Sequence, residues 1–166
     1  MPYLVFLAVF GFTMPLMGKY IDKYGPRKMM MLGAVLVGLA WILASFSTNP
    51  WMLTILYGVI GGFGVGITYN CPISTVGKWF PDKRGLATGL TVVGFGLSPA
   101  ITGPLVDYLT VYYGITATLR ILGILFLATI TVCALPFYFP PTGWKPREWS
   151  PSEGSVIRGV REFQRE

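Results

Sequence analysis

Apolar residues run through five stretches of the chain, 2–17, 29–46, 51–77, 86–106 and 119–139, and the charged residues collect between them. A helix that crosses a bilayer needs about 20 such residues. The last four stretches approach or exceed that length, 29–46 being slightly short. The first has only 16 residues before Gly18. It also lacks the basic start and the small-x-small cleavage site of a signal peptide. The pattern predicts an all-α membrane protein with about five transmembrane helices: a bundle over residues 1–139 and a tail over 140–166.

The cations orient these spans. The stretches 18–28, 47–50, 78–85 and 107–118 and the tail 140–166 hold 4, 0, 3, 0 and 5 lysines and arginines. The thirteenth, Arg120, sits at the mouth of the last span. Cations on every second connection are the positive-inside pattern of a multi-pass protein. It predicts 18–28, 78–85 and the tail on the cytoplasmic side of the cell membrane, with the N-terminus outside. Composition agrees: 12% of residues are charged and 53% hydrophobic, whereas a soluble domain carries about a quarter charged residues. The net charge of +6 is thus a topology signal. The partner it predicts is the lipid bilayer, not nucleic acid.

One short pattern occurs twice. Gly18-x-x-x-Asp22 closes the first span, and Gly103-x-x-x-Asp107 closes the fourth. Each is followed by a Tyr-Gly pair (Tyr24-Gly25, Tyr113-Gly114) and by a new span with a cation near its start (Arg27, Arg120). The two copies belong to opposite faces of the membrane, as in the inverted repeats of many transporters. The second unit has three spans and the first has two. The repeat therefore predicts a further helix before Pro2.

Few side chains carry chemistry. There is no histidine, and Cys71 and Cys133 stand singly in apolar runs, so no metal site, disulfide, catalytic group or cofactor is expected. The 51–77 span is the most polar: Gly58, Gly62, Gly66, Asn70 and Ser74 recur every four residues, a spacing that lets helices approach closely. An amide and a phenol near mid-membrane need partners or water. This makes Tyr69 and Asn70 candidates for a substrate pocket, with helix packing as the alternative. Phe95 and Ser98 in the fourth span are pocket candidates on the same terms. Asp107 and Arg120 fall near the outer interface, where snorkelling or local pairing accounts for them. In the tail, Pro140, Pro141, Pro146 and Pro151 exclude a regular helix at first. Val156, Val160 and Phe163 then recur at helical spacing, which fits either a surface helix or a linker.

The stretch Gly18-Lys-Tyr-Ile-Asp22-Lys23-Tyr-Gly25-Pro-Arg27-Lys28 resembles the loop motif of the major facilitator superfamily, Gly-x-x-x-Asp-[Arg/Lys]-x-Gly-x-[Arg/Lys]-[Arg/Lys], at every specified position. "KWFPDKRGLATGL" (Lys78–Leu90) is similar to the connection between helices four and five in the oxalate/formate antiporter branch. The resemblance covers nearly the whole chain but only helices two to six of a twelve-helix fold. It departs at Gly103-Pro104, where the Gly-Pro-x-x-Gly-Gly of many antiporters loses its trailing glycines. The resemblance implies most of the N-terminal half of a secondary transporter of small organic anions, working by alternating access. Gly18, Asp22, Lys23, Gly25, Arg27 and Lys28 would be its gating motif. Asp22 would accept from Arg27 and from a helix N-terminus in a C-terminal half, helices seven to twelve. That half would be the principal partner and would supply the cations that meet a carboxylate. The alternative is a fragment that does not transport, or a scaffold that only pairs helices.

Overall fold

The computed structural model describes residues 1–81 and 83–141. Helix α1 spans Pro2–Tyr24, α2 Pro26–Ala44 and α3 Pro50–Trp79. Each opens on a proline, whose missing N–H costs nothing in a first turn. Within α3 the portion Thr54–Gly61 is a π-helix. A final helical run, Arg84–Ala134, holds 51 residues, which at 1.5 Å each would be about 77 Å long, more than twice the hydrocarbon thickness of about 30 Å. It is broken at Gly114 (φ 76°, ψ 164°) into α4 (84–113) and α5 (115–134). Five helical segments result, all apolar enough by composition to lie in a membrane.

The helices outrun the apolar stretches. α1 continues through Gly18–Tyr24 and stops at Gly25, where its charged residues had suggested a loop. α4 likewise continues to 113. A charge marks where a helix leaves the hydrocarbon, while backbone hydrogen bonding carries on into the headgroup layer. α5 is displaced the other way, to 115–134. Pro136 cannot continue it, and Leu135–Pro141 leave the helix. The tail from residue 142 lies outside the described residues.

α2 is the most buried helix. Met29, Met30, Ala34, Val37, Ala40 and Ala44 are all buried on it, between α3 on one side and α5 on the other. Gly33 faces Thr68 and the Gly64 carbonyl of α3; Gly38 faces Gly123 and Leu127 of α5. At one end of the bundle Ile21, Met29, Met30, Ile67, Cys71 and Ala134 form a buried cluster. At the other, Phe6, Tyr57, Trp41 and Phe126 make a chain of ring contacts through α1, α3, α2 and α5, with centroids 5.2–5.5 Å apart.

Charge separates along the same axis. Lys19, Lys23, Arg27, Lys28, Lys78, Lys83 and Arg84 belong to helix ends on the side of the buried Ile21 cluster. Arg120 is alone among the described cations at the opposite end. There its Nε donates to Ser45 Oγ (3.0 Å), and its guanidinium lies 4.3 Å from the Phe46 ring centroid. The alternating counts of the sequence thus become one cationic end in space.

The two Tyr-Gly pairs share a backbone. Gly25 (φ 87°, ψ 151°) and Gly114 (φ 76°, ψ 164°) are the two described residues with positive φ. Both lie in or at the edge of a region open essentially to glycine alone. Each makes a one-residue break between helices, one at each end of the bundle.

Candidate functional site

α1 and α3 run parallel along a seam of constant register. Gly58 meets Pro2, Gly62 meets Phe6 and Gly66 meets Phe10; Asn70 meets Met14 and Lys78 meets Asp22, both pairs 56 residues apart in sequence. A β-carbon at Gly62 would lie 2.7 Å from the Phe6 carbonyl oxygen, so only glycine lets the backbones come this close. The repeat of four is longer than the 3.6 residues of a straight helix turn. The wider π segment Thr54–Gly61 at the start of α3 accommodates part of the difference.

The cationic end of this seam holds the motif. Lys78 Nζ donates to Asp22 Oδ1 at 2.6 Å. This replaces the expected Asp22–Arg27 pairing: among the described residues the carboxylate's ion pair is with Lys78. The reason is electrostatic and geometric. Asp22 and Lys78 occupy the last turns of adjacent parallel helices, where exposed carbonyls carry partial negative charge. A carboxylate there needs a cation, and a cation is favoured there. Arg27 and Lys28 lie beyond the Gly25 break, exposed. Lys23 rests 5.5 Å from the Tyr24 ring centroid. Gly25 has the turn conformation expected of it. Gly18 is not a site of close approach: a β-carbon there would meet only Asn70 Nδ2, at 3.9 Å.

The pocket candidates divide. Asn70 Nδ2 donates to the Met14 carbonyl at 2.8 Å, next to Pro15 in α1. Its amide therefore serves the helix contact. Tyr69 stands edge-on to Phe10 (5.5 Å between centroids) and to Phe95 (4.7 Å). Its hydroxyl has no hydrogen-bond partner among the described residues. Ser98, one turn beyond Phe95, is exposed. The threonines Thr13, Thr68, Thr75, Thr91, Thr102, Thr110 and Thr118 each donate to the carbonyl four residues back in their own helix, which keeps a hydroxyl satisfied in an apolar setting. Among the described residues, Tyr69 and Ser98 are thus two hydroxyls beside this cluster without a hydrogen bond. Phe10 belongs to the cluster but was invisible in the sequence, since a lone phenylalanine in an apolar run carries no signal. Among the described residues no group of three or more His, Cys, Asp or Glu is placed to hold a metal ion.

The family profile described as Major Facilitator Superfamily matches residues 2–164. The chain is 35% identical over 123 residues to the oxalate:formate antiporter of Oxalobacter formigenes, covering 74% of this chain and 29% of that protein. It is 33% identical over 154 residues to monocarboxylate transporter 1 of Bos taurus (92% and 30%), and 32% identical over 129 residues to monocarboxylate transporter 13 of the same species (78% and 30%). The chain spans about a third of the length of these curated relatives. Its kin are transporters, not enzymes, and by the match over nearly its whole length the chain belongs to the Major Facilitator Superfamily.

Proposed function

We propose that this chain contributes N-terminal helices to a secondary transporter of small organic anions, mono- or dicarboxylates, that works by alternating access. The observation that carries the reading is the Phe10–Tyr69–Phe95 cluster, where a phenol with no partner among the described residues sits beside the exposed face of α4. Tyr69 would donate to a carboxylate oxygen, and Ser98 would offer a second hydroxyl along the same face. The Oxalobacter and Bos relatives support the substrate class by name. The Gly18–Lys28 motif would act as gate at the cytoplasmic face, an orientation that the cationic end supports. A dianion at mid-membrane finds no cation among the described spans, and leaving it without one costs several kcal/mol. The second half of such a transporter would supply the countercharge.

The test is counterflow of labelled oxalate, formate and lactate in proteoliposomes, with the chain complemented by helix one and a C-terminal six-helix half of a related transporter. Tyr69→Phe should raise KM about tenfold, the loss of one hydrogen bond to a charged group. Asp22→Asn should lower the maximal rate with KM held. Uptake that is saturable yet indifferent to both changes would sink the assignment of these residues. No uptake by the complemented chain would favour the helix-pairing scaffold, a reading that draws on the glycine seam and on the commitment of Asn70 to Met14.

A further inference from the structure

The residues that follow α5, Leu-Pro-Phe-Tyr-Phe-Pro-Pro at 135–141, do more than leave the membrane. Phe137 and Phe139 pack against the buried cluster of Ile21, Met29, Ile67 and Cys71. The Tyr138 carbonyl accepts from Trp79 Nε1 at 3.0 Å, and the two rings meet edge-on at 5.6 Å. The Phe139 ring centroid lies 3.6 Å from Lys78 Nζ, the same ammonium that donates to Asp22. We propose that Phe139 is a positioning residue for the Asp22–Lys78 pair. Segment 137–139 is an aromatic clasp at the foot of α3 that holds the lysine on its carboxylate.

The pair needs such help. Its side chains are 41% (Lys78) and 57% (Asp22) exposed. An ion pair so open to water gains little, because a four-carbon stem must give up its rotamers to hold one geometry. A ring face attracts an ammonium, and this ring is anchored in the buried cluster. It fixes one side of the ammonium and leaves Asp22 on the other. The Trp79–Tyr138 bond sets where the ring lies, because it ties the clasp to the residue next to Lys78. The Asp22 carboxylate is thereby coupled to the chain that continues from Pro140, which the Gly18–Lys28 motif by itself would not show. This inference stands apart from the substrate reading and is tested without transport.

The experiment is reductive methylation of the 166-residue chain in lipid nanodiscs, with the rate at each lysine read by peptide mass spectrometry. Phe139→Met keeps apolar bulk but loses the ring face. It should raise the Lys78 rate about threefold relative to Lys19 and Lys83, the range of an exposed cation–π contact. Phe139→Tyr should restore the wild-type rate, and Asp22→Asn should raise it. Equal Lys78 rates in the methionine and tyrosine variants would overturn the proposal, because packing alone does not distinguish them by ring face. If Phe139→Met also opens Cys71 to maleimide, the bundle has loosened, and the decision passes to Trp79→Phe. That change removes the donor to Tyr138 and keeps a ring. A faster Lys78 supports the clasp, and an unchanged rate refutes it.

Discussion

α3 and α4 are both rich in glycine, and their glycines live in opposite surroundings. On α3, a β-carbon at Gly58, Gly62, Gly64 or Gly66 would meet a neighbouring helix at 3.0 Å or less. On α4, one at Gly85, Gly89, Gly94, Gly96 or Gly103 would meet nothing within 4 Å. The spacing separates them in part. Gly58, Gly62 and Gly66 recur every four residues on one ridge against α1, and Gly64 faces α2, whereas those at 94, 96 and 103 follow no single face. Exposed Leu86, Leu90, Val93, Leu97 and Ile101 complete the picture on α4, and Phe95 on Tyr69 is its aromatic contact with the bundle. Glycine in a membrane helix is therefore a permission to approach. Whether it is used depends on the facing helix.

Substitutions can break this contrast. The largest effect belongs to the seam: Gly62→Leu forces a side chain into the Phe6 backbone and should cost about 3 kcal/mol, read by SDS titration of the chain in bicelles. The matched change Gly94→Leu should cost under about 0.5 kcal/mol. Comparable losses would mean that α4 is packed as tightly as α3. Next come the two breaks. Gly25→Ala and Gly114→Ala should each lose about 1–3 kcal/mol in the same titration, since both need a backbone that alanine resists. A loss at one and not the other would dissolve the likeness of the two Tyr-Gly turns. Smallest is the polar contact. Asn70→Leu should cost about 0.6 kcal/mol, a typical interhelical hydrogen bond in a membrane, while Ser98→Ala on open α4 should leave the midpoint unchanged.

Much of this was legible in the sequence. Apolar length gave five helical segments, cation counts gave the cationic end, and the four-residue spacing from Gly58 to Asn70 gave the seam. Gly25 followed from its motif. Local signals reach only that far. Nothing in the residues around Asp22 favours Lys78 over Arg27; the choice arises because two parallel helices end at the same level. Asn70 showed that it needed a partner but not that the partner was a carbonyl of α1. The π segment and the docking of 137–139 rest on contacts between distant stretches, to which periodicity is blind.

The constant offset along α1 and α3 has a mechanical side. From Gly58 to Lys78 the seam covers twenty residues, about 30 Å at 1.5 Å each, the full depth of the hydrocarbon. Carbonyls of α1 sit in the hollows left by Gly58, Gly62 and Gly66, so one helix cannot slide past the other without lifting out of them. Two rods keyed together in this way bend less than either alone. They behave as a single beam whose foot carries Asp22 and Lys78. Tilting a beam of that length by about 10° around its foot displaces its far end by about 5 Å. Movement too small to part the ion pair is then several ångströms at the opposite face.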